Sequence, residues 1–143
     1  MNDDTIILLK ECNSGCKNAT NSMEQVSSYI HDVNFQDLIS KYNKKHIDIG
    51  DKCHTLLNNI GKSEEDPTMM AKAFAKFSTD IKLMINDDTT KIAELMVDGC
   101  NMGIKSISKV LNQCRNASME SIHLAKSLIS IEQDFMDNLL AYL

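Results

Sequence analysis

Six side chains of this 143-residue chain have the types and spacing to do chemistry: Cys12, Cys16, Cys53, Cys100, His46 and Glu132. None of the cysteines forms a CxxC pair, and Cys12 and Cys16 stand four apart, so each thiol must find its partners on other segments. Helical register offers them. Counting outward from the turns puts Cys16 level with Ile49, Cys12 level with Cys53, and Cys100 level with Glu132, with His46 and Met96 about one turn away. Thiolates and an imidazole in one layer would suit a soft or borderline ion, zinc or Cu(I), or would support thiol redox chemistry. The competing reading makes the cysteines small apolar fillers around one buried polar pair. An inward Glu132 is costly unless it is paired, hydrogen-bonded or protonated. His46 is the candidate partner, because its ring also points inward and can donate to a carboxylate.

Amphipathic helices must position these residues. Leu9, Cys12, Cys16, Ala19, Met23, Val26 and Ile30 step by three and four, the spacing of an apolar seam along one side of a helix. Ala93, Met96, Cys100, Gly103, Ile107, Val110 and Cys114 repeat those steps 84 residues later, and Gly15-Cys16 is matched by Gly99-Cys100. A second helix carries Phe35, Ile39, Tyr42, His46, Ile49, Cys53, Leu56 and Ile60. The last carries Ile122, Ala125, Ile129, Glu132, Met136, Leu139 and Leu143. Between the two halves, Met70, Phe74, Phe77, Ile81 and Met84 form a stripe on a helix opened by Ser63-Glu64-Glu65-Asp66-Pro67, with the acids and the proline suited to a first turn. Helices are predicted over about 3–31, 34–60, 67–85, 88–114 and 117–142. Asn2 or Asp3 caps the first, Gly61 ends the second, and Asn86-Asp87-Asp88 starts the fourth. Short turns make each flanking pair an antiparallel hairpin, and the central helix is long enough to cross over along the side.

Composition narrows the function classes. One proline, five glycines and no tryptophan disfavour a sandwich or barrel, so the chain reads as all-α and as one domain, 1–143. A formal charge of −5, from 20 acidic and 15 basic residues, opposes the phosphate attraction that nucleic-acid binding depends on. No apolar run approaches the ~20 residues needed to span a bilayer, and Met1-Asn2-Asp3-Asp4 has no leader pattern. A cytoplasmic location is expected, with free thiols and no membrane association. Lys41, Lys44 and Lys45 read as a solvated face. Glycine-rich phosphate loops, HExxH and GxSxG are all absent, and Asn18-Ala19-Thr20 and Asn116-Ala117-Ser118 would not meet the glycosylation machinery in that compartment.

Two repeated hairpins joined by a long crossover look like an up-down-down-up ferritin-like four-helix bundle with an added crossover helix. The run Leu83-Met84-Ile85-Asn86-Asp87-Asp88, followed by Ala93-Glu94-Leu95-Met96-Val97-Asp98-Gly99-Cys100 and preceded by Leu9-Lys10-Glu11-Cys12-Asn13-Ser14-Gly15-Cys16, resembles a bacterial ferritin-like family of unknown function over essentially the whole chain. That resemblance implies two irons at mid-bundle, held by one Glu from each of two helices and a Glu-x-x-His from each of the others. The motif is eroded here. Cys16 and Cys100 stand where carboxylates are implied; on the second helix the candidates are Asp48, Asp51 and His54, and Asp51-Lys52-Cys53-His54 places both its end residues off the seam. Glu132-Gln133-Asp134-Phe135 ends in phenylalanine, and Glu120-Ser121-Ile122-His123 lies far from the centre.

The leading expectation is a non-catalytic interaction or assembly protein, acting as a homo-oligomer and needing no cofactor. The alternatives are a zinc- or copper-binding or thiol redox protein using Cys16, Cys100, Glu132, His46, Cys12 and Cys53, and a degenerate di-iron oxidase. Leu8, Leu38, Leu57, Val97, Leu128, Ile131, Phe135 and Leu140 flank the seams, and some of them are expected to form an exposed patch.

Overall fold

The computed structural model describes residues 1–61, 75, 76, 78–80 and 88–143. The chain is all-α, with no strand among the described residues. Its long helices are α1 (Asp3–Ser27), α2 (Val33–Asn59), α3 (Thr89–Gln113) and α4 (Met119–Leu139), followed by a 3₁₀ turn at Leu140–Tyr142. The predicted helix over 67–85 lies outside the described residues, apart from short helical stretches at 75–76 and 78–80.

Each helix start follows from a short polar side chain that accepts from an otherwise orphaned backbone N–H. Asn2 accepts from Thr5, Asp32 from Phe35, Asp88 from Lys91 and Ser118 from Ser121. Asp88 is extended, at φ −96° and ψ 100°, so α3 does not continue an earlier helix. Gly61 ends the α2 region at φ +67°, a left-handed conformation that glycine adopts without penalty. The first helix stops at Ser27, four residues short of the predicted His31. Ser27 and Ser28 turn their hydroxyls back onto the carbonyls of Glu24 and Gln25. Tyr29 and Ile30 then bond three residues back, to Val26 and Ser27, so the last turn tightens and the helix ends.

Helix directions follow from which residues share a core. Met23, Val26, Phe35, Ile39, Ile92, Met96, Phe135 and Leu139 pack at one end; Leu8, Leu9, Cys53, Leu57, Ile107, Cys114, Leu124 and Leu128 pack at the other. Thus α1 and α4 run one way, and α2 and α3 the other. At the second end, Asn2 Nδ2 donates to the Asn116 carbonyl (2.6 Å), Asn116 N–H to Asp4 (2.9 Å) and Ser118 N–H to the buried Thr5 hydroxyl (2.7 Å). These bonds fasten the start of α1 to the turn before α4.

Two expectations need correcting. On α4 the buried stripe is Ser121, Leu124, Ala125, Leu128, Glu132, Phe135 and Leu139, whereas the predicted Ile122, Ile129 and Met136 are half-buried and Leu143 is exposed. The helix is turned by about one residue toward Leu128 and Phe135, and only Ala125, Glu132 and Leu139 belong to both faces. The flanking residues do not form a patch. Leu8, Leu57, Leu128 and Phe135 are core, Leu38, Val97 and Ile131 are half-buried, and Leu140 alone is exposed. Helices that contact two neighbours bury a face wider than one seam. On α1 the buried set even includes Glu11, Asn13 and Ser14.

The clasp at the second end yields a stability prediction. Asn2→Ala removes the α1 cap and the bond to Asn116 together, and should cost about 1–2 kcal/mol in chemical denaturation with an unchanged m-value. A loss within experimental error would show that the clasp contributes nothing.

Candidate functional site

The six residues singled out by sequence all lie in the core. Cys12, His46 and Cys53 have no exposed surface, Cys16 and Cys100 have 2%, and Glu132 has 6%. They fall into two groups. Cys12 and Cys53 are hydrogen-bonded thiols between α1 and α2, at the level that register counting predicts. His46, Glu132 and Cys100 form the second group, contributed by α2, α4 and α3. Cys16 sits between the groups against Gly50, whose bare Cα lets α1 and α2 approach: a methyl there would stand 3.1 Å from Cys16 Cβ.

The second group is a chain of hydrogen bonds. His46 Nδ1 lies 2.6 Å from the Tyr42 carbonyl, one turn back on the same helix. A carbonyl only accepts, so Nδ1 carries a proton. His46 Nε2 meets Glu132 Oε1, and the Cys100 thiol also donates to the Glu132 carboxylate. The carboxylate fits because Gly103 faces it: a methyl on Gly103 would sit 3.3 Å from Glu132 Oε2. Phe135 closes one side, stacked on the Tyr42 ring at 4.7 Å and edge-on to His46 at 6.4 Å. This residue occupies the place where the implied Glu-x-x-His requires a histidine. It shields the pair from water instead of ligating.

Electrostatics separate the groups further. Burial by itself would lower the His46 pKa, but the hydrogen bond and charge of Glu132, with the Tyr42 carbonyl, carry it above the ordinary histidine value. With Nδ1 committed to Tyr42, a charged His46 donates from both nitrogens and forms a buried ion pair with Glu132. The thiols go the other way. Burial, and then the charge of Glu132, holds Cys100 well above the ordinary thiol range, and burial does the same for Cys16. Cys12 is raised first by its bond to Cys53 and then by burial. These sulfurs stay protonated at neutral pH, so a thiolate nucleophile or ligand forms there only with loss of that proton.

Sequence reasoning missed three members of the site: the Tyr42 carbonyl, Gly103 and Phe135. Gly103 stood on the predicted seam, and a glycine facing an inward acid was the available signal. The acids and histidines considered for iron do not converge. Asp48, Asp51, His54, Glu120 and His123 are all exposed, and among the described residues no three His, Cys, Asp or Glu side chains are placed to hold a metal ion. Comparison with known proteins found no matching family model, no matching curated protein and no matching solved structure.

The pair makes stability depend on pH in one direction. A raised folded-state pKa for His46 contributes stability that is fully present below the unfolded value, near 6.5, and is lost as pH rises through the higher folded value. Denaturation midpoints should therefore fall on the alkaline side of neutrality, and His46→Leu combined with Glu132→Leu should flatten that dependence. Glu132→Ala alone strands a buried imidazole and should cost about 3–5 kcal/mol, whereas the double leucine variant should be close to neutral. Equal losses in both would show that the pair is not what holds the centre.

Proposed function

We propose that this chain is a ferritin-like four-helix bundle whose centre is structural and which acts by binding or assembly, not by catalysis. One observation carries the reading: the inward carboxylate, Glu132, is already engaged by His46 and Cys100, and the nearby thiols are held protonated. Helices α1 and α4 running against α2 and α3 support the bundle arrangement.

The metals that this architecture brings to mind do not fit the residues present. A di-iron centre needs several hard oxygen ligands and two histidines at mid-bundle, and among the described residues the core supplies two carboxylates, Glu11 and the already engaged Glu132, and one imidazole, the engaged His46. Zinc or copper would have to draw protons from Cys16 and Cys100 in surroundings that strongly favour the thiols. Five buried free cysteines go with a reducing compartment, and a cytoplasmic location is part of the proposal. No described helix is long and apolar enough to cross a membrane.

A second copy of the chain is the partner proposed first. Val33, Leu140 and Leu143 are 67%, 52% and 54% exposed, at the end where Phe35 packs on Tyr142 with ring centroids 4.5 Å apart. Exposed aliphatic groups gathered at one end of the helices favour self-association more than scattered ones do.

Two measurements test the proposal. Protein purified without chelator should carry far less than one metal ion per chain, and ferrous iron added in air should give no saturable oxygen uptake; fast turnover at two irons per chain would overturn the non-catalytic reading. Light scattering at high micromolar concentration should show an oligomer that Val33→Lys with Leu140→Lys converts to monomer. A wild-type monomer would remove the assembly half alone.

A further inference from the structure

Between α1 and α3, just above the His46–Glu132 pair, lies a cavity of about 70 Å³. It exists because both helices present small residues there. Gly15, Ala19, Gly99 and Gly103 line it, and a methyl on Gly99 would meet nothing within 4 Å. Cys100 and Glu132 form its polar floor, while Met23, Met96, Ile107 and Phe135 are among its apolar walls. Half-buried Asn18, Ser22 and Met102 stand at its rim.

We propose that this cavity binds a small neutral molecule with a short alkyl chain and a terminal hydroxyl. The inference goes beyond the structural reading of the centre and does not depend on self-association. Three features select the ligand. First, a carboxylate has about four acceptor sites, and His46 and Cys100 use two, so Glu132 retains capacity for one more donor. Its Oε2 edge is the one beside Gly103, which itself lines the cavity. Second, a buried water seeks two to four polar partners, and the inner half of the cavity offers little beyond this carboxylate. A molecule with one donor and an apolar remainder satisfies Glu132 and also covers the methionine, isoleucine and phenylalanine walls. Third, charge excludes the nearest competitors. A carboxylate ligand would face Glu132 without a donor of its own, and an ammonium would bring a second cation beside His46. Size sets the limit: a dry cavity of about 150 Å³ accepts the six carbons of benzene, so this one of about 70 Å³ suits about three non-hydrogen atoms.

The test uses the full chain with isotope-labelled methionine methyl groups, titrated with ethanol and, separately, with dimethyl ether. The ether has the same heavy-atom count and no donor. Met23, Met96 and Met102 report on the cavity, and Met119, 81% exposed, reports on non-specific solvent effects. Ethanol should shift the three cavity methyls saturably, with millimolar affinity, and leave Met119 on a linear trend. The ether should bind at least tenfold more weakly. Gly103→Ala, which places a methyl against Glu132 Oε2, should abolish saturation. Gly99→Ala adds its methyl to open space, must fold normally, and should weaken binding severalfold. Linear shifts at all four methyls, equal affinity for alcohol and ether, or full binding by folded Gly99→Ala would each overturn the proposal.

Discussion

One buried contact, His46 against Glu132, constrains the middle of this protein. Neither side chain is tolerable there alone, since an uncompensated charge or an unpaired imidazole in the core costs several kcal/mol. Together they tie α2 to α4 at one height, and the Cys100 thiol adds α3. A hydrophobic seam permits small slips along its length. A single polar contact with fixed partners does not, so the pair acts as a register pin between two hairpins otherwise packed through interchangeable apolar groups.

The neighbours of the pair follow from that constraint. Gly103 is bare because a Cβ would press on the carboxylate, and Tyr42 and Phe135 stack beside the imidazole to keep water out. His46 turns its remaining nitrogen onto the Tyr42 carbonyl, the nearest acceptor on its own helix, so both ring nitrogens are occupied. The cysteines fill the remaining volume. Burial raises the pKa values of the Cys16 and Cys100 thiols, and the Glu132 carboxylate raises both further, so the arrangement that holds the charge pair also keeps those two sulfurs protonated.

Small residues at the α1–α3 contact give the core a polar-floored cavity. Gly15 and Gly99 occupy equivalent places in the repeat, yet their surroundings differ. A methyl on Gly15 would meet Ile107 at 3.4 Å, and one on Gly99 would meet nothing. The repeated sequence therefore does not impose a symmetric interior, because α2 offers an imidazole at the level where α4 offers a carboxylate. The asymmetry of those two side chains places polarity on one side and leaves the cavity beside it.

Much of this was legible in the amino-acid order. Seams of period 3.6 on α1, α2 and α3 marked the buried faces, and Asn2 and Asp88 were readable as the caps that begin α1 and α3, because periodicity and capping depend on residues a few positions apart. Counting from the turns also brought Cys12 to Cys53 and Cys100 to Glu132, since rise per residue is constant within a helix. Tertiary structure alone decided the rest. The rotation of α4 depends on competition between Leu128 and Phe135 on one side and Ile129 and Met136 on the other, which only the neighbouring helices resolve. The ionisation of the thiols, the room at Gly103 and the role of Phe135 depend on atoms far apart in sequence. Local pattern sets which face turns inward, and the packed core sets what that face meets.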